Sequence, residues 1–406
     1  MFIRHLKPIL LEALADSPVV LINGARQTGK STLAQSISQA QYLTFDDIDV
    51  LSAAKYDPQG FIAGLNETVV LDEIQRVPEL FLAIKASVDR QRIPGRFLLT
   101  GSANILLLPK LAESLAGRME IQTLWPLSQA EITNTPHNFI DALFAGQLVH
   151  QQFPTVEKMD IAERITRGGY PAAYDRANEN RRATWFESYI TAILQRDIRD
   201  LANIEGLTEF PRLLALLASR SASLLNFAEL SRSIGIAQTT LKRYLILLET
   251  TFLIRYIPAF SSNLGKRTVK SPKLYLNDTG LMAHLNGSNK ERLFREPLLW
   301  GSLLETFVQA ELIKHLGWSV TPAYLMHYRT QTGIEVDFIL ENRAGNLIGI
   351  EVKASATITA KNLNGLRHFM ELTKEKFQLG IVLYTGNRIV PFGEKLFAIP
   401  ISALWR

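Results

Sequence analysis

The sequence predicts an α/β protein whose first half is an open parallel sheet with helices on both faces. Three observations carry that reading. Short, wholly apolar runs alternate with segments of helical period, the pattern of strands buried on both faces. A glycine-rich turn, Gly24 to Ser31, joins the first such run to a helix. The chain has 406 residues, 47% hydrophobic and 20% charged, which suits a soluble globular protein with more than one core.

The elements follow in order. Val19 to Asn23 reads as a buried strand and Lys30 to Gln39 as the helix after the turn. Further strands are expected at Gln41 to Asp46, Thr68 to Asp72, Arg96 to Gly101 and Glu120 to Trp125. The pattern changes after Asn134, and Gly168, Gly169 and Pro171 make a sharp break before a long amphipathic helix, Ala183 to Asp200. Three helical patterns fill Leu207 to Ile257, the last running from Gln238 to Thr250, with Phe252 to Ile257 strand-like. A helix at Leu303 to Leu316 then precedes strands at Tyr324 to Tyr328, Ile334 to Leu340, Leu347 to Lys353 and Leu379 to Tyr384. The expected domains are residues 1–165, 166–205, 206–290 and 291–406.

Several classes drop out. Cysteine is absent, which excludes disulfides and thiolate metal sites. The seven histidines show no metal-ligand spacing. No apolar run reaches the roughly 18 residues of a spanning helix. The N-terminus mixes Arg4, His5, Lys7 and Glu12 among its apolar residues, unlike a secretory leader. A cytoplasmic protein without membrane attachment is expected. The net charge of +5 permits nucleic-acid binding without requiring it.

Gly24-Ala25-Arg26-Gln27-Thr28-Gly29-Lys30-Ser31, followed by Thr32, fits the phosphate-binding loop between strand and helix. Its backbone amides and the helix N-terminus cradle phosphate. Lys30 is expected to reach the β and γ phosphates of ATP, and Ser31 to hold Mg²⁺. Val69-Val-Leu-Asp72-Glu73 ends a strand in two acids: Asp72 for the Mg²⁺ shell and Glu73 as general base. Ser102 or Thr100, at the end of the next strand, would contact the γ phosphate or the water, or else cap the following segment. Arg118 would face the nucleotide of a neighbouring subunit or form a surface salt bridge.

These motifs, with Leu115-Ala-Gly-Arg118, Trp125-Pro-Leu-Ser128 and the closing Pro400 to Trp405, resemble a prokaryotic family of AAA+ ATPases with a C-terminal domain of unknown function. The resemblance implies ATP and Mg²⁺ as ligands. It makes Asp72 and Glu73 the Walker B acids, Ser102 the sensor and Arg118 an arginine finger within a homo-oligomer. It also makes Gly168-Gly169-Tyr170-Pro171 the turn into a helical lid, with Arg176, Arg181 or Arg182 as its second sensor.

Leu224 to Tyr244 has the rhythm of a helix-turn-helix, with Leu230, Ile234, Leu241, Tyr244, Leu245 and Leu248 packing the pair. Gln238, Thr239, Lys242 and Arg243 would face outward to DNA. Phe252 to Ile257 and Lys273 to Leu276 would form the wing of a winged helix, and Lys266, Arg267, Lys270 and Lys273 would contact phosphates. The alternative is a packing module with solvated charges. Further on, Glu335-Val-Asp337 and Glu351-Val-Lys353 lie on expected strands. With Glu305 they resemble the PD-(D/E)XK nuclease core, a restriction-endonuclease-like α/β fold. That resemblance makes Glu305, Asp337 and Glu351 metal ligands, Lys353 catalytic and Arg329 a phosphate contact. The alternative is a buried Glu–Lys pair that needs no metal. The overall expectation is an ATP-driven protein acting on nucleic acid, or a nucleotide-controlled switch whose C-terminal domain binds a partner.

Overall fold

The computed structural model describes residues 2–37, 41–65, 68–102, 115–198, 209–261 and 270–406. Its first sheet has five parallel strands: β1 (Val19–Asn23), β2 (Gln41–Thr44), β3 (Val69–Asp72), β4 (Phe97–Gly101) and β5 (Met119–Thr123), in the order β2-β3-β4-β1-β5. Period-two alternation divides each strand between two cores. Val19, Leu21, Val69, Leu71, Phe97 and Leu99 pack to one side, and Val20, Ile22, Val70 and Leu98 to the other with Leu6, Leu10 and Leu33. All five residues of β1 are buried, and the strand is paired on both sides, by β4 and β5, so the turn leaving it is held firmly. Crossovers put the carboxyl ends of β1, β3 and β4 along one edge, where ligands of open α/β sheets bind.

A third core runs from Ala25 and Trp125 to Trp405, and a fourth, built on Phe260, Met326, Val336, Leu366, Phe369 and Phe377, lies against the C-terminal sheet. The third core includes residues on both sides of the expected boundaries near 165 and 290, and the one at 205 lies outside the described residues. The helix Glu179–Ala192 passes into a π-helical stretch, Ile193–Ile198, where one long α-helix was expected. The middle of the chain then runs helix Phe210–Ser219, β6 (Ser223–Leu224), helix Phe227–Ile234, helix Gln238–Thr250, β7 (Ile254–Ile257) and β8 (Lys273–Leu276). The three strands pair antiparallel in the order β6-β8-β7. Asn226 caps the first helix of the pair, and Gly235, at φ 83°, ends it in the left-handed conformation glycine tolerates.

The C-terminal sheet is mixed: β9 (Ala323–Arg329), β10 (Glu335–Asn342), β11 (Leu347–Lys353), β12 (Phe377–Tyr384), β13 (Val390–Pro391) and β14 (Leu396–Pro400), in the order β13-β14-β12-β11-β10-β9. The 20-residue helix Pro297–Leu316 packs it against the first half of the chain. Its Lys314 donates to the Leu127 carbonyl at 3.0 Å, and its Glu311 accepts from the Gln129 amide at 2.7 Å. Among the described residues no helix is long and apolar enough to cross a membrane.

Candidate functional site

The Gly24–Ser31 loop leaves β1 in a conformation that few residues accept. Gly24 sits at φ 145° with the Leu124 carbonyl against the place a Cβ would occupy. Gly29 (φ 92°) and Gln27 (φ 63°) are also left-handed. The Lys30 ammonium lies in the bowl of the loop, 2.9 and 2.8 Å from the Gly24 and Ala25 carbonyls. Ser31 and Thr32 open the helix Lys30–Ile37, so its amino end faces the bowl.

Across the edge, Asp72 ends β3 almost buried. Ser31 donates to it at 2.8 Å, Tyr42 at 2.7 Å, Thr44 at 3.4 Å and Thr100 at 2.5 Å. The Tyr42 hydroxyl is pushed up to about 12 by burial and then by Asp72. Glu73 follows at φ 59°, a strained position for a side-chain-bearing residue that turns its carboxylate away from the strand. Its amide donates to Thr100 Oγ1 at 3.1 Å, and its Oε2 accepts from Ser102 at 3.1 Å and from Gln75. Gln75 also donates to Ser102 Oγ at 2.8 Å. The structure thus gathers Lys30, Ser31, Asp72, Glu73, Thr100 and Ser102 at one edge. Ser102 touches the expected base rather than standing apart. The segment after it lies outside the described residues.

Mg²⁺ fits this edge, since Ser31 and Asp72 offer hard oxygens already 2.8 Å apart. Among the described residues no group of three or more His, Asp or Glu is placed to hold a metal. A Mg²⁺ that keeps several waters needs no such group.

Sequence reasoning missed the wall beside the loop. A cavity of about 440 Å³ is lined by Phe2, Ile3, Thr28, Gly29, Leu127 and Pro171 among others. Arg4 builds it, donating to the Thr28 carbonyl at 2.6 Å, to the Trp125 carbonyl at 2.6 Å and to Glu131 at 2.9 Å. Burial pushes the Glu131 carboxyl up, but Arg4 and the Ser128 and His5 amides together outweigh it and hold the carboxyl below the usual range. Basic residues near an N-terminus read as solvated, so the one signal was Arg4 itself among apolar neighbours. Tyr189, on the helix Glu179–Ala192, reaches the Arg26 carbonyl at 3.3 Å. Of the second-sensor candidates, Arg176 and Arg182 bond carbonyls of their own turn and Arg181 is exposed. Arg118 forms a surface ion pair with Asp89 at 2.5 Å, the simpler of its two expected roles.

In the middle segment the expected packing residues are buried, and Gln238, Thr239, Lys242 and Arg243 are exposed on one helix. Lys266 and Arg267 lie outside the described residues. Lys270 is exposed, but Lys273 is not: only 3% accessible, it points inward. That corrects its expected place among the phosphate contacts. Strand alternation gives the reason, because Lys273 shares a face of β8 with Tyr275, and both meet the C-terminal acids.

Those acids do come together. Phe338 pairs with Ile350, which places Asp337 beside Glu351. Glu305 accepts from Lys273 at 2.8 Å and from Tyr275 at 2.6 Å. Asp337 lies 3.5 Å from Lys273 and accepts from the Val352 amide at 2.9 Å. Lys353 pairs with Glu351 at 2.8 Å. Burial, then Asp337, pushes the Glu305 and Glu351 carboxyls up, to about 7 and about 8. Arg329 is paired with Glu335 at 2.8 Å. The expected metal set of Glu305, Asp337 and Glu351 does not fit a metal as it stands, because the Lys273 ammonium already bridges Glu305 and Asp337 and Lys353 holds Glu351.

An AAA domain model matches residues 16–133, and two domains of unknown function match residues 158–292 (DUF8612) and 300–404 (DUF4143). The last brings no nuclease assignment. An uncharacterized protein of Mycobacterium tuberculosis is 32% identical over 400 residues, covering 97% of this chain and 82% of that protein. One from Haemophilus influenzae is 24% identical over 396 residues, 91% of this chain and 89% of that one. Among solved structures, a Walker-type ATPase of Pyrococcus abyssi aligns with 70% of this chain and 96% of its own, at 14% identity and a TM-score of 0.41. At 32% identity along nearly its whole length the chain belongs to the family of the mycobacterial protein, and with a phosphate loop facing two strand-end acids inside the AAA match its first part is an AAA-type P-loop ATPase domain.

Proposed function

We propose that the edge between β1, β3 and β4 hydrolyses ATP with Mg²⁺ and that the cycle controls binding of nucleic acid. The observation that carries the first half is the Glu73 carboxylate, fixed by Ser102 and Gln75 beside the Ser31–Asp72 pair. The loop amides and Lys30 hold the phosphates, and Glu73 takes the proton of the attacking water. Ser31 and Asp72 would hold Mg²⁺, which would supply positive charge for the β and γ phosphates. The cavity beside Arg4 takes the base, with Phe2, Ile3, Leu127 and Pro171 as apolar walls. Arg118, released from Asp89, reaches the nucleotide of a neighbouring copy.

The nucleic-acid half rests on the exposed Gln238, Thr239, Lys242 and Arg243, on a helix in the order expected of a winged helix. For the nuclease-like set, the seated Lys273 favours a domain that binds rather than cuts. One experiment tests the whole reading: ATP turnover in Mg²⁺ and in EDTA, followed by capture of single- and double-stranded DNA and RNA with and without ATP. Mg²⁺-dependent turnover with nucleotide-dependent capture is expected. Turnover without capture of any nucleic acid would leave a switch acting on another partner.

A further inference from the structure

Two buried carboxylates, Asp337 and Glu351, a half-buried one, Glu305, and two ammonium groups meet where the middle segment touches the C-terminal sheet. Glu305 comes from the long helix, Asp337 from β10, and Glu351 and Lys353 from β11. Lys273 comes from β8, which lies inside the 158–292 match, whereas the acids lie inside the 300–404 match. One unit of the chain therefore supplies a cation to the acid set of another.

Burial makes that cation necessary. A carboxylate out of water requires a partner charge, and removing one partner of a buried pair leaves the other uncompensated. Lys273 places its ammonium 2.8 Å from Glu305 Oε1 and 3.5 Å from Asp337 Oδ1. Tyr275, two residues on, adds a hydroxyl to the same Glu305 oxygen. Divalent metal and ammonium compete for these oxygens, since both bind carboxylate through charge.

We propose that Lys273 is a built-in cation that closes the Glu305–Asp337–Glu351 set to divalent metal, so the set becomes a metal site only when β8 withdraws. The upward push on Glu305 and Glu351 agrees with a set that still carries one acid more than it has bases. The proposal rests on the geometry of the acids and not on any cleavage by them.

The test uses the full chain without nucleotide and counts bound Mn²⁺ by electron paramagnetic resonance. The natural protein should hold no Mn²⁺ that Asp337→Asn removes. Lys273→Met, which keeps length and loses charge, should gain one Mn²⁺, absent again in Lys273→Met/Asp337→Asn. Lys273→Arg should behave as the natural protein does. Retained ATP turnover reports that each variant is folded. If Lys273→Met is too unstable to purify at ordinary temperature, Mn²⁺ should raise its melting temperature, and should fail to do so once Asp337→Asn is added. A folded Lys273→Met protein with no added Mn²⁺, or a melting temperature Mn²⁺ leaves unmoved, would make Lys273 a plain structural counter-ion. Mn²⁺ bound by the natural protein and released by Asp337→Asn would also overturn the proposal. A variant that gains Mn²⁺ yet cuts nothing would count against a nuclease and leave this inference standing.

Discussion

Asp72 and Asp337 are both aspartates on interior strands, 4% and 5% accessible, and the structure treats them in opposite ways. Four hydroxyls hold Asp72, from Ser31, Tyr42, Thr44 and Thr100. An amide and an ammonium hold Asp337, from Val352 and Lys273. Hydroxyls orient a carboxylate without cancelling its charge, so the Asp72 site keeps a demand for cations. An ammonium both orients and neutralises, so the Asp337 site is satisfied from within the chain. Two acid-bearing strands that look alike in sequence thus prepare different chemistry.

The largest effect that would sharpen this contrast is on Arg118. If the Asp72 site takes its cations from outside, transition-state charge needs one from a neighbouring copy. Arg118→Ala should lower turnover by about 10³-fold. Mixing it with Lys30→Ala subunits should recover activity at mixed interfaces. Turnover per subunit that is independent of concentration would break the trans reading and leave Arg118 as the partner of Asp89.

Glu73 comes next. Glu73→Gln should bind ATP as the natural protein does and hydrolyse it about 10²-fold more slowly. Ser102→Ala should have a smaller effect of the same kind, because Ser102 only positions the carboxylate. A Glu73→Gln protein at full rate would move the base elsewhere. On the Asp337 side the same logic predicts no cut. Mg²⁺- or Mn²⁺-dependent DNA cleavage by the natural protein, abolished in Asp337→Ala and Lys353→Ala with ATP turnover retained, would overturn the non-cutting reading.

A smaller effect separates exposed lysines from the buried one. If Lys242 and Arg243 each neutralise one phosphate, replacing either by alanine should reduce the slope of log K against log salt by about 0.9. Lys273→Met should leave that slope alone. If all three variants bind with the natural slope, the helix Gln238–Thr250 does not meet phosphate.

The contrast also explains what could be read from sequence. The phosphate loop and its two acids were legible because each is a contiguous run whose neighbours dictate strand, turn and helix. The cavity beside Arg4 was not, since Phe2, Thr28, Leu127 and Pro171 come from four distant stretches. Lys273 sits at the end of a basic run that reads as solvated. Only its spacing from Tyr275 on a short strand signalled that both side chains turn inward. The acids Glu305, Asp337 and Glu351 could be grouped from the sequence, but what neutralises them could not, because the cation belongs to a different unit of the chain.

The smallest expected effect is on the pH dependence of stability, and its sign follows from the same comparison. Burial first, and Asp337 next, push the Glu351 carboxyl up to about 8, well above the roughly 4.3 of an unfolded glutamate. The fold therefore favours the protonated form. That contribution is fully present below about pH 4.3 and is lost as pH rises through about 8. His315 and His327 act the other way, their rings pushed down to about 3 and about 4 by burial. Their contribution is present above the usual imidazole range near 6.5 and lost as pH falls below it. Lys273 and Lys353, whose ammonium groups are pushed above the usual lysine range against the pull of burial by the acids beside them, remain charged throughout. The interval from pH 7 to 9 thus isolates the carboxyls from the histidines. Across it the melting temperature should fall, and Glu351→Gln, which mimics the protonated acid, should flatten that fall. A natural protein equally stable at pH 7 and 9, or a Glu351→Gln variant with the full decline, would mean that Lys353 and Lys273 already neutralise the acids completely.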